Sequence, residues 1–239
     1  MKPLVIFDVD GTLCDTLGVD DECFCATAST MLGVPVESST WEDSPHITDS
    51  GIVEWLWTRH LGRLPTRQEV DAFVARFETA LGHELQRAPE RFGAIAGALP
   101  LLGHLEEQGW RLAFATGGWG RTARLKLQAA GLPVASLLAS ADDSHDRCEI
   151  FRLVGTRAVE RAGMPPNRTV LVGDGTWDVR VAARLGWPMV GVGQGQRAAR
   201  LRSEGASTIL PDFVDRDGVL AGLRDSAIPR VLLLESPNA

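Results

Sequence analysis

Five short runs of apolar, mostly β-favouring residues are spaced along the chain: 3–7 (PLVIF), 111–115 (RLAFA), 137–139, 169–172 (TVLV) and 189–192 (MVGV). Strands that are apolar at consecutive positions are buried on both faces, and such strands belong to parallel sheets covered by helices. Segments 120–130, 150–162, 179–185 and 197–204 have the helical patterns that supply the cover. Each is closed by a glycine, at 131, 163, 186 and 205. The alternation predicts an α/β fold, a doubly wound (Rossmann-like) parallel sheet. In such sheets ligands bind outside the carboxyl ends of the strands, where strand order reverses.

From about Asp15 to Ile95 the alternation stops and the chain reads as helices alone. Phe24, Ala28, Met31 and Leu32 share one helical face ahead of Gly33. Ile52, Trp55, Leu56 and His60 share another ahead of Gly62. Thr66 and Glu69 make a capping box before Val70, Phe73, Phe77 and Leu81. A helical block placed after the first strand predicts an all-helical cap domain, residues 15–95, on an α/β core of residues 1–14 and 96–239. A lid so placed excludes water and contacts substrate. The C-terminal "VLLLES" reads as an edge strand or a tail.

Composition narrows the classes. A hydrophobic fraction of 44% and a charged fraction of 23% suit a globular domain. No apolar run approaches the roughly 20 residues of a membrane span, and the N-terminus lacks a signal-peptide pattern, which together predict a cytoplasmic protein without a membrane partner. A net charge of −7 argues against a nucleic-acid partner. Cys14, Cys23, Cys25 and Cys148 have no CxxC spacing and read as reduced thiols. Of the 24 basic residues only Lys2 and Lys126 are lysine.

The residues just past each strand carry the chemistry. Asp8, Asp10, Gly11 and Thr12 come after the first; Thr116, Gly117 and Gly118 after the second. Ser140, Asp142, Asp143 and, a little later, Arg147 come after the third; Gly173, Asp174, Gly175 and Asp178 after the fourth. Parallel strands put these ends on one edge, so at least three carboxylates gather there. Like charges that close repel unless a cation neutralises them. Oxygen-only donors suit Mg2+, which also takes phosphate oxygens, and no His or Cys stands in zinc-ligand spacing. Gly11, Gly117 and Gly118 permit a phosphate-binding nest of backbone N–H groups, Thr116 adds a hydroxyl, and Arg147 a bidentate guanidinium. A carboxylate can attack phosphorus and a neighbouring one can move the protons, which assigns Asp8 as nucleophile and Asp10 as acid/base.

These residues resemble the haloacid dehalogenase (HAD) superfamily. "DVDGTLCDT" matches its first motif, DxDGTL; "LAFAT", ending in Thr116, is similar to its second; "VLVGDGTWD" is similar to its fourth, GDxxxD. The helical block resembles the family's first-type cap, as in the phosphoglycolate phosphatase-like members. The resemblance implies that Asp8 is nucleophile and metal ligand, and that Asp10 is acid/base and lends its backbone carbonyl to the metal. It implies that Thr116 holds the phosphoryl group, and that Asp174 completes the magnesium site with Asp178 close behind. The third motif departs: "SADDSHDRCEIF" has no lysine. Arg147 is the substitute, bridging Asp8 and phosphate, with Gly117 and Thr116 completing the phosphate site. Lys126, far along the next helix, reads as solvated.

Trp119 and Trp177 lie near the second and fourth motifs and are candidates to wall the site. Thr48 or Asp49 reads as a helix N-cap, with His46 a candidate substrate contact. "GVGQGQRAARL" lacks the order of a nucleotide loop and reads as a strand-to-helix turn. The leading expectation is a magnesium-dependent phosphatase acting on a small phosphorylated metabolite. The alternatives are a phosphotransferase or mutase acting on sugar phosphates, then a non-catalytic binding module. Phosphonate cleavage through a cap lysine is set aside, because residues 15–95 contain none.

Overall fold

The computed structural model describes residues 1–38, 44–134 and 137–231. Its centre is a six-stranded, wholly parallel sheet: β1 (Leu4–Phe7), β2 (Arg111–Ala115), β3 (Leu138–Ala139), β4 (Thr169–Gly173), β5 (Met189–Val192) and β6 (Thr208–Leu210). The order is β3-β2-β1-β4-β5-β6, and β1 pairs in register with β2 on one side and β4 on the other. Strand order therefore reverses at β1, and the crevice opens beyond Phe7.

The double apolar pattern of β1 serves two layers. Val5 and Phe7 enter one core with α4 (Ala98–Glu107) and α9 (Arg216–Asp225), through Leu101, Leu105, Val219 and Leu223. Leu4 and Ile6 enter the other, with α6 (Arg147–Ala162), α7 (Thr176–Leu185) and α8 (Gly195–Glu204), through Phe151, Val154, Val179 and Leu201. Burying each such side chain is worth about 1.5–3 kcal/mol, so the alternation fixes both faces. Helix α6 begins at Arg147, earlier than the apolar spacing predicts, because Asp146 caps it by accepting from Cys148 N at 2.8 Å. The short β6 and helices α4 and α9 go beyond the predicted elements. No helix among the described residues is long and apolar enough to cross a membrane. Of "VLLLES" only Val231 is described, packed against the second core; the rest lies outside the described residues.

Between β1 and β2 run α1 (Leu17–Leu32), α2 (Asp49–Leu61) and α3 (Arg67–Arg87). They share a third core of Phe24, Val53, Trp57, Phe73, Phe77 and Leu81. The buried face of α2 passes through Trp57, while His60 is exposed and Trp55 only half-buried, a one-residue rotation from the predicted face. Thr48 caps α2 through Gly51 N at 3.2 Å, and the Thr66–Glu69 capping box opens α3. The two chain crossings into and out of these helices lie side by side. Ile95 N donates to Leu13 O at 2.9 Å and Asp15 N to Gly93 O at 2.8 Å.

Candidate active site

Asp8 emerges from β1 into the crevice and is almost wholly buried. Its Oδ1 accepts from Arg147 Nη2 at 2.6 Å. Arg147, the first residue of α6, also donates to Asp178 Oδ1 through Nε at 3.0 Å and Nη2 at 2.8 Å. Its guanidinium lies 5.5 Å from the Phe151 ring and 5.9 Å from the Trp177 ring, so two aromatic faces steady it. Asp178, in the first turn of α7, accepts from Gly175 N through Oδ2 at 3.1 Å. Asp174, just past β4, accepts from Thr12 Oγ1 at 3.2 Å and faces Arg197 Nη1 at 3.3 Å.

Carboxylate oxygens of Asp8, Asp174 and Asp178 lie within 4.8 Å of one another. Burial pushes Asp8 well above the usual carboxylate range, and Asp178, Asp174 and Asp10 add to this while Arg147 opposes it. Burial likewise lifts Asp174 to about 7, with Asp178 adding and Arg197 opposing. Burial alone would lower Arg147; Asp178 and Asp8 overcome that and hold it charged. Three enclosed carboxylates with partly unmet charge and no nitrogen or sulfur donor make a hard-oxygen set, which fits Mg2+.

Thr116, the residue just past β2, is buried, its Oγ1 accepting from Gly118 N at 3.0 Å. Gly117 is needed there for room, not for an unusual backbone angle: a Cβ would stand 2.5 Å from Arg147 Nη1 and 2.9 Å from Ile47 O. Segment 47–49 thus closes directly over the turn. Asp49 N donates to Gly117 O at 2.8 Å, and Asp49 Oδ2 accepts from Trp119 N at 3.0 Å.

Over residues 2–186 the chain matches the haloacid dehalogenase-like hydrolases. It belongs to that family. Probable phosphatase IndB of Dickeya dadantii is 32% identical over 194 residues, 80% of this chain and 81% of that one. A phosphoglycolate phosphatase of Agrobacterium fabrum is 24% identical over 218 residues, 89% and 90% of the two chains. Among solved structures, CbbY of Rhodobacter sphaeroides in complex with phosphate superposes with a TM-score of 0.69 at 22% identity, covering 94% of this chain and 100% of that one.

In this haloacid dehalogenase-like hydrolase Asp10 does not join the three-carboxylate cluster with its side chain. Its Oδ1 accepts from Thr16 Oγ1 at 2.5 Å and its Oδ2 from Lys126 Nζ at 2.7 Å. Thr16 is the N-cap position of α1, and its hydroxyl makes no capping bond. Lys126 is fully buried, against the expectation of a solvated residue, and its Nζ also meets Asp20 Oδ1 at 2.5 Å. Burial by itself would lower its pKa; Asp10, Asp20 and Asp49 reverse that and hold it above the ordinary value. The signal was in the helical phase. On α5 (Gly120–Ala129), Thr122, Ala123, Lys126 and Leu127 form one stripe, and all four are buried.

Other candidates resolve differently. Trp119 packs among Phe24, Phe73 and Phe77 of the helical core, whereas Trp177 lies over Arg147. His46 lies against His145, ring centroids 4.8 Å apart and tilted by 48°. Asp142 accepts from Gly120 N and Asp143 pairs with Arg157, so both support the β3 turn. The 191–201 turn contributes Arg197, whose reach to Asp174 its sequence did not announce.

Proposed function

We propose that the chain is a magnesium-dependent phosphatase that hydrolyses a small phosphorylated metabolite through an aspartyl-phosphate on Asp8. The observation that carries this is the Asp8–Arg147 contact at 2.6 Å beside Asp174 and Asp178, at the switch point of the sheet. The names of the relatives, a probable phosphatase and a phosphoglycolate phosphatase, support the same reaction class.

In this reading a carboxylate oxygen of Asp8 attacks phosphorus as the ester P–O bond breaks, and the leaving oxygen takes a proton from Asp10. Thr116, Gly117 and Arg147 hold the phosphoryl oxygens. Water then attacks phosphorus and passes its proton to Asp10, the bond to Asp8 breaks, and phosphate departs. Asp8 and Asp174, with Asp178 behind and the Asp10 carbonyl, would hold Mg2+, which supplies charge neutralisation for the acids and the phosphoryl oxygens. Residues 15–95 act as a cap on the core of 1–14 and 96–239; the paired crossings at 13–15 and 93–95 support a hinge there.

The test is phosphate release from p-nitrophenyl phosphate and a panel of sugar phosphates by purified protein with Mg2+. Activity lost in Asp8→Asn and in EDTA is the expected result. Turnover that survives both overturns the reading, and interconversion of sugar phosphates without net phosphate release would mark a phosphotransferase instead.

A further inference from the structure

Lys126 takes no part in making or breaking bonds to phosphorus, yet its side chain is 0% exposed. It stands on α5 between Ala123 and Leu127, where an apolar residue would fill the same stripe without the several kcal/mol that enclosing a charge costs. What the ammonium adds is a grip on carboxylates. One N–H group faces Asp10 Oδ2 at 2.7 Å and another faces Asp20 Oδ1 at 2.5 Å. The other Asp10 oxygen is taken by Thr16. Both oxygens of Asp10 are therefore held, one from α5 and one from the residue that begins α1. Asp20, in the first turn of α1, ties the same ammonium to the helical segment.

The residue type fits the task. A compact ammonium with three donors sits between two carboxylates where a planar guanidinium fork demands more width. A chain that otherwise relies on arginine places one of its two lysines here.

We propose that Lys126 is a positioning residue for Asp10: it fixes the carboxyl group that carries protons, and through Asp20 it makes that placement depend on how α1 lies against the core. The inference rests on the reading of Asp10 as acid/base. Three variants test it: Lys126→Met, Lys126→Arg and Asp20→Asn, each mixed with p-nitrophenyl phosphate and Mg2+ in stopped flow. Nitrophenolate is a good leaving group that departs without a proton, so Asp8 is still phosphorylated when Asp10 is misplaced. Hydrolysis of the aspartyl-phosphate still needs the base.

Lys126→Met is expected to give a nitrophenolate burst of about one per active site, then turnover slowed about 100-fold with KM lowered alongside it, so that kcat/KM changes little. Acid-quenched protein should gain the mass of one phosphoryl group. Lys126→Arg should recover part of the turnover, and Asp20→Asn should show the same burst with a smaller slowing, about tenfold. Should Lys126→Met fail to fold, Asp20→Asn carries the test. Unchanged turnover in the variants that fold overturns the inference. So does a burst that shrinks in proportion to turnover, since that reports lost folded enzyme alone. If the parent protein gives no phosphoenzyme, or Asp8→Asn still turns over, the phosphatase reading fails and takes the inference with it.

Discussion

Arg147 and Asp178 meet through two hydrogen bonds to a single carboxylate oxygen, at 3.0 and 2.8 Å, while the same guanidinium reaches Asp8 at 2.6 Å. One cation thereby holds the two acids at a spacing that neither α7 nor β1 sets alone. Replacing it with methionine leaves two enclosed carboxylates without their partner, a change worth about 3–5 kcal/mol. Arg147→Met should therefore melt several degrees lower in EDTA and lose about 100-fold or more in kcat. Arg147→Lys keeps the charge but not the fork, so it should fold normally and lose roughly tenfold in kcat/KM. Differential scanning calorimetry beside steady-state kinetics separates the two effects; equal activity in all three proteins would contradict the assignment.

Two glycines with left-handed backbones make opposite predictions. Gly97 (φ +79°) has the Phe213 carbonyl 2.3 Å from where a Cβ would stand, and Gly11 (φ +76°) has Asp174 Oδ2 at the same distance. Alanine strains either backbone by about 1–2 kcal/mol before any clash. Gly97→Ala should lower the urea midpoint while the molecules that remain folded keep their Mg2+ affinity. Gly11→Ala must displace Asp174, and should weaken Mg2+ binding by about tenfold or more, read by titration calorimetry.

Asp49 clasps the turn after β2 in both directions, donating from its backbone to Gly117 and accepting from Trp119. Asp49→Ala removes one half of that clasp. If α2 must close over Gly117 for substrate to be held, KM should rise about fivefold or more with a smaller change in kcat. A change confined to kcat would place Asp49 in the proton chemistry instead.

The acids of the site were legible because they come directly after apolar runs that are readable as buried strands, and parallel topology sends every such end to one edge. Asp8 and Asp174 needed no other information, and Arg147 needed only its place after β3. The Lys126–Asp20 pair was hidden by distance: the partners are 106 residues apart, and a lone lysine on a helix is ordinarily solvated. Its phase on α5 pointed inward, but nothing local named the carboxylates it would meet. Strand β6 is three residues long and only half-buried, too short to show a period. His60 and Trp55 were misplaced because α2 buries Trp57, a choice made by Phe73 across the helical core.

The crowded acids set the pH dependence of stability. An acid whose pKa is higher folded than unfolded binds protons more tightly in the folded state, so stability falls as pH rises between the two values. For Asp20 and Asp174, both raised chiefly by burial, that window runs from 3.8 to about 7, and Asp8 is shifted in the same direction. In EDTA the melting temperature should therefore fall by a few degrees between pH 5 and pH 7.5. Saturating Mg2+ neutralises Asp8 and Asp174 and should remove most of that slope. The remainder belongs to Asp20, which lies against Lys126, together with Asp49 and Asp21, which burial also raises, so Asp20→Asn in Mg2+ should melt with a shallower slope across the window than the parent protein. A melting temperature that climbs with pH in EDTA, or a slope indifferent to Mg2+, would mean that these carboxylates do not carry the strain assigned to them.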